Sequence, residues 1–295
     1  MASSHDEPRG QVLLALDEQN CARICLSRAY ELARASNAEL QVVRVVPGWR
    51  WLWRFFPRLA TRAAARAKAV LRATRFWLAG AYGKEPAPGH VVVRTGNFLQ
   101  QIVNHSQSRP TSVIVLPPHL PSVGRVATKL ALATGIKVMV LREAGPSRAV
   151  LAASDLRTPG FPVLAEASKL AKDTRKSLVS FHNVDPLSLP EEDGGPRNGA
   201  RVSSGPAPRE RLTAALRELS ADSVPVIRTE IDPVAAIVDE ARERGVDLIM
   251  VGAHERDRFV RLLRGSVASR VVQRARCSVM VAPLKGSAGE RATGA

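Results

Sequence analysis

The chain has 295 residues, enough for one large domain or two ordinary ones, each with a real core. It carries 43 Lys/Arg against 27 Asp/Glu, a formal net charge of +16, and has ordinary apolar content. No apolar run reaches the roughly 18 residues that mark a membrane span, and no targeting segment is recognisable, so a cytoplasmic protein is expected. Cys21, Cys25 and Cys277 form no C-x-x-C pair, which argues against a redox motif or a zinc site, and Cys21 and Cys25 are read as buried thiols.

Residues 1–9 are polar and read as a flexible N-terminus. From there short apolar runs alternate with helix-length patterns. In the first half the strand candidates are 11–16, 39–46, 90–95, 112–116 and 136–141. In the second they are 148–154, 177–184, 224–230, 247–252 and 277–282. "SVIVL" and "DLIMV" are apolar on both faces, as strands covered by helices on both sides are. Alternating strands and helices predict an α/β fold of two tandem doubly wound, open parallel-sheet domains, five strands each. Such sheets bind ligands beyond the carboxyl ends of their strands.

The halves repeat each other. "VLLALD" from Val12 answers "VLAASD" from Val150, and "SVIVLPPH" from Ser112 answers "DLIMVGAH" from Asp247. "GRVATKLALATGIKVMV" from Gly124 answers "GSVASRVVQRARCSVMV" from Gly265, and "RTGNFLQQIV" answers "RTEIDPVAAIV" in the same order. Matched blocks in one order indicate a tandem duplication, with domains at 10–143 and 147–285. Residues 185–210, rich in Pro, Gly and Ser, read as a mobile loop, and 286–295 as a disordered tail.

Residues 48–84, "GWRWLWRFFPRLATRAAARAKAVLRATRFWLAGAYGK", contain nine basic residues, no acid and all four tryptophans. Leu59, Ala63, Ala67, Val70, Thr74, Trp77 and Leu78 fall within a sector of about 100° on a helix. Arg58, Arg62, Arg66, Lys68, Arg72 and Arg75 take the other side. The simplest reading packs the apolar sector on the sheet. The basic, aromatic remainder suits a protein partner or an anionic membrane surface. With no recognisable RNA or DNA module, nucleic acid is not the expected partner.

In the second half, "VGAHERDRFVRLLRGSVASRVV" from Val251 places Gly252, then Glu255, then Gly265–Ser266 at the start of a helix. This frame, with its flanking strands and helix, resembles the universal stress protein family in tandem form, whose nucleotide-binding members carry G-x2-G-x9-G-[S/T] after the fourth strand. The resemblance implies an ATP site in the second domain, with Mg²⁺ as a companion to its phosphates. By that resemblance Gly252 lies where ligand approaches the backbone. Gly265, Ser266 and Val267 meet phosphate at the helix start, where free N–H groups favour anions. Asp155 meets the adenine or ribose portion, and Val184 borders the adenine pocket. Plainer roles also exist: Ser266 as a helix cap, Asp155 as a turn acceptor, Val184 as core.

Glu255 departs from the frame, putting bulk and negative charge where the family has glycine, and weak binding is expected. A carboxylate there is also a candidate Mg²⁺ ligand. Arg256, Arg258, Arg261 and Arg264 offset its charge where they face the ligand. In the first half Pro117 stands for Gly252 and Gly124–Arg125 for Gly265–Ser266, with a shortened connection, so that half is expected not to bind ATP. No set of side chains is placed for catalytic turnover, so a stress-response regulator rather than an enzyme is expected, with at most slow ATP hydrolysis. The alternative is a scaffold that binds no nucleotide and recruits partners through 48–84. A homo-oligomer such as a dimer, or a pairing of the two halves within the chain, is the expected assembly.

Overall fold

The computed structural model describes residues 10–17, 23–48, 57–82, 89–142, 149–186, 207–254 and 266–284. The N-terminal residues 1–9, Cys21, the three tryptophans of "WRWLWRFF", most of the 185–210 loop, Glu255, Gly265, the arginines between them, and the tail lie outside the described residues. The chain divides into two compact units, Met1–Arg142 and Glu143–Ala295.

The first unit runs β1 (Gln11–Asp17), α1 (Arg23–Ala35), β2 (Glu39–Val46), α2 (Pro57–Tyr82), β3 (Val91–Thr95), α3 (Phe98–Ser106), β4 (Thr111–Leu116), α4 (Val123–Thr134) and β5 (Lys137–Val140). Its strands lie in the order β3-β2-β1-β4-β5, and every pair is parallel. The second unit runs β6 (Ala149–Ala153), α5 (Pro162–Thr174), β7 (Ser177–Val184), α6 (Pro208–Glu218), β8 (Val224–Thr229), α7 (Pro233–Glu243), β9 (Leu248–His254), α8 (Val267–Arg274) and β10 (Ser278–Leu284). Its order, β8-β7-β6-β9-β10, repeats the first, again all parallel. The doubly wound parallel sheets expected from the alternating pattern are therefore present.

Burial follows strand position. Central β1 buries Leu13, Leu14 and Leu16 completely, and β6 does the same with Val150, Leu151 and Ala152. Edge strands β3 and β8 are mostly half-buried. Helix ends are set by local chemistry. Asn97 caps α3 by accepting from the Gln100 amide at 3.1 Å. Gly135 closes α4 with φ +70°, a left-handed conformation that costs glycine little.

Three boundaries differ by two residues or more from the sequence expectation. Strand β9 continues to His254 and β10 to Leu284, because the two pair in parallel through all seven residues. Helix α6 already begins at Pro208, inside the segment read as loop, with Glu210 reaching back to the Ala207 amide at 3.2 Å.

Helix α2 packs as its apolar sector requires. Thr74 and Leu78 are buried, and Ala63, Ala67, Val70 and Trp77 are half-buried. The Thr74 hydroxyl donates to the Val70 carbonyl at 2.7 Å and accepts from buried Arg44 at 3.0 Å. Arg75, assigned to the polar side, is half-buried and its Nε is enclosed without a hydrogen-bond partner.

Candidate functional site

In the second unit a cavity of about 430 Å³ opens beyond the carboxyl ends of β6, β7, β9 and β10. The reversal of strand order between β6 and β9 creates it, since helices leave the sheet toward opposite faces there. Val163, Phe181, Ile237 and Leu284 form apolar walls. Asp155, Asn183 and His254 bring polar groups, and Val267 and Ala268 bring the start of α8.

The loop after β6 is shaped by its own side chains. Asp155 Oδ1 accepts from the Arg157 amide at 3.1 Å, and Ser154 Oγ accepts from the Leu156 amide at 3.1 Å. These turns hold Leu156 at φ +56°, and Phe161 further on has φ +43°, both unusual for residues with side chains. Such strain persists where surrounding structure over-determines it, commonly beside ligand sites. Behind the loop, His182 Nδ1 donates to the Ser154 carbonyl at 2.8 Å. Burial lowers the His182 pKa from its ordinary 6.5, so the ring is neutral at neutral pH.

Asp155 does more than close its turn. Its Oδ2 accepts from His254 Nε2 at 3.2 Å. That hydrogen bond holds the carboxyl below its usual range, against the upward pull of burial, so Asp155 is an anionic acceptor at the cavity mouth. His254, which answers His119 across the repeated blocks, is thus part of the site. Gly252 and His254 are two apart on one strand and share a face, a signal hidden only because the strand was expected to stop at 252.

Gly252 lines the cavity, but its lack of a side chain has a nearer cause than ligand approach. A Cβ there would meet Leu284 Cδ1 at 2.3 Å and Val163 Cγ2 at 3.2 Å. Val184 is buried at the end of β7 and is not among the lining residues. Strand alternation gives the cavity Phe181 and Asn183 instead. Asn183 Nδ2 donates to the Glu230 carbonyl at 2.8 Å, tying β7 to the residue after β8.

At the other end, Ser266 caps α8, its Oγ accepting from the Ser269 amide at 3.3 Å. It does not line the cavity. The amides of Val267 and Ala268, at the first two helical positions, have no intrahelical acceptor. Gly265 lies outside the described residues. Asp232 ties this helix to α7. It caps α7 by accepting from the Val234 amide at 3.1 Å, and it accepts from Arg270 at 3.1 and 2.9 Å and from Arg274 at 3.1 Å. One carboxylate therefore joins the start of α7 to the middle and the last turn of α8.

The first unit departs at the same places. Pro117 follows β4 where Gly252 lies in β9, and α4 begins at Val123, so Gly124 is buried inside the first turn instead of preceding it. Ser122 makes no side-chain cap and receives Arg125 Nη2 at 3.2 Å.

A model described as the universal stress protein family matches residues 8–142 and 146–283, nearly the whole chain, in two consecutive copies. The chain belongs to the universal stress protein family. This tandem universal stress protein is 30% identical over 129 residues to Universal stress protein A homolog 2 of Coxiella burnetii, a match covering 43% of this chain and 87% of that one. It also resembles the crystal structure of a universal stress protein from Archaeoglobus fulgidus at 12% identity and a TM-score of 0.61, over 92% of this chain and 96% of that one. A protein of unknown function from Pseudomonas aeruginosa PAO1 aligns at 17% identity and a TM-score of 0.57, over 94% of both chains. At those identities the two structural likenesses speak for the fold alone. Among the described residues no helix is long and apolar enough to cross a membrane.

Proposed function

We propose that this tandem universal stress protein binds one adenine nucleotide, ATP, in its second unit and uses it as a regulatory ligand in the cytoplasm. The observation that carries the reading is the polarity of the cavity. The ionised Asp155 offers acceptors, the start of α8 offers two amide donors, and apolar side chains line the same cavity. A nucleotide has the matching groups: hydroxyl and amino donors on its nucleoside, a flat apolar base, and anionic phosphates suited to a helix start. The volume, about 430 Å³, falls in the range of small-molecule sites.

In this reading Asp155 takes the nucleoside, Val267 and Ala268 take phosphate, and Ser266 keeps those amides in place as the helix cap. Gly265 precedes them, and Glu255 sets a negative charge against the phosphates. Bound Mg²⁺ would neutralise phosphate charge; no residue is assigned a role in hydrolysis. Cys25 and Cys277 are buried and do not form a disulfide, in agreement with a reducing compartment.

Titration calorimetry of the full chain tests the proposal. One saturable ATP site per chain is expected, from the second unit. Removing the Glu255 charge with Glu255→Gly should tighten binding by roughly one to three decades, from an unfavourable interaction of about 1–4 kcal/mol. Gly265→Asp should abolish it. Unchanged affinity in both variants would remove the phosphate assignment.

A second reading, a scaffold that binds no nucleotide, is favoured by the packing of Gly252 against Leu284, which keeps a glycine there with no ligand present. It predicts no saturable ATP heat in either variant.

A further inference from the structure

We propose that the outward face of α2 docks on an anionic lipid bilayer, a function independent of the nucleotide site. With Thr74 and Leu78 turned to the core, the opposite sector of the helix holds Arg62, Arg66, Arg72 and Phe76 within about 120°, with Lys68 at its edge. All five are exposed, and Phe76 is 84% exposed. The residues between them are Ala65, Ala69, Ala73 and Gly80, so only cations and one aromatic ring project from the surface.

Covering a sheet does not require this arrangement. A solvated helix face normally mixes charges of both signs, whereas α2 has no acid along its length. Arg62 with Arg66, and Lys68 with Arg72, are like charges four residues apart, a spacing that destabilises a helix. The imbalance extends beyond the helix: residues 1–146 carry 20 Lys/Arg against 8 Asp/Glu, but residues 147–295 carry 23 against 19.

Charge and shape select the occupant. A second copy of the chain would bring the same cations and be repelled. Single-stranded nucleic acid is read by several aromatics that stack successive bases, and this face has one ring. A bilayer surface with anionic headgroups presents a planar array of phosphates to a band about 20 Å long, from Arg62 to Phe76. It also presents an interfacial region for an aromatic ring. The guanidinium groups would lie among the phosphates, with Phe76 entering between them.

Co-sedimentation of the full chain with vesicles decides it. Vesicles of phosphatidylglycerol and phosphatidylcholine should bind at least tenfold better than phosphatidylcholine alone, and the difference should collapse as salt shortens the Debye length. Each cation near such a surface is worth roughly fivefold in partitioning, so R62Q/R72Q should lower it about 25-fold. R62K/R72K, which keeps both charges, should retain binding, which separates charge from folding. F76A, at an exposed position, should lower partitioning several-fold with an unchanged melting midpoint. Equal partitioning onto both vesicle types, or no loss in either R62Q/R72Q or F76A, overturns the proposal. So does an oligonucleotide that binds at lower protein concentration than the vesicles and is lost in R62Q/R72Q, since that would assign the face to nucleic acid.

Discussion

Asp155 and His254 meet at the mouth of the second unit's cavity, Oδ2 to Nε2 at 3.2 Å, although 99 residues of chain separate them. The contact exists because β6 and β9 are neighbours, paired in parallel from Val150 with Leu248 to Ala153 with Val251. It fixes the ionisation of the residue assigned to the nucleoside.

Removing the histidine should therefore be visible in the titration of the aspartate. The folded-state pKa of Asp155 is lowered from 3.8, so its contribution to stability is present above that value and is lost as pH falls through the folded pKa. In His254→Ala the midpoint of Asp155, followed by carboxyl-carbon NMR, should rise. An unshifted midpoint would mean that the pair does not form in solution.

Gly252→Ala should destabilise the second unit by about 1–3 kcal/mol, since overpacking forces neighbours out of their rotamers. The clash is with the Leu284 side chain, so a second change, Leu284→Ala, should recover part of the loss. Denaturant titration of the single and double variants measures this. A neutral Gly252→Ala that nevertheless abolished ATP binding would return the glycine to ligand approach.

The first unit should be acid-sensitive through His105. Its Nε2 donates to Gln41 Oε1, which also accepts from Gln11 at 2.6 Å, while its Nδ1 is buried without a partner. Burial, then Arg94 and Arg109, lowers its pKa below 6.5. Stability is thus complete above about pH 6.5 and declines as pH falls toward the folded value, because only the unfolded chain takes the proton. The decline is at most about 1.4 kcal/mol per pH unit for one proton. Tryptophan fluorescence reports this unit alone, since all four tryptophans lie in it. His105→Gln should flatten the pH dependence between 6.5 and 5; an unaltered slope assigns it elsewhere.

Asp232→Ala should loosen the start of α7 and its tie to α8. Loss of the α7 cap costs about 0.5–2 kcal/mol, and Arg270 and Arg274 lose their shared acceptor. Thermal unfolding should show the stability loss. If α8 presents phosphate-binding amides, ATP affinity should fall as well, and intact affinity in this variant would show that the helix start holds without Asp232.

Much of the fold was legible before any coordinates. Parallel sheets buried on both faces write themselves as apolar runs, a duplication writes itself as repeated blocks, and an amphipathic helix writes its inward face at a fixed angular period. The strand pattern located the cavity at the strand ends, and the family resemblance named Asp155, Gly252 and Val267, which line it. The resemblance also named Val184, which is buried beside the lining Asn183, because successive strand residues face opposite sides of the sheet. What only the tertiary structure decided was the partner of each group. Gly252 faces Leu284, Asp155 faces His254, and Asp232 faces Arg270, each pair brought together by strands or helices distant in sequence. Periodicity records which way a side chain points relative to its own element. The neighbour it meets depends on strand order and register, which local spacing does not encode.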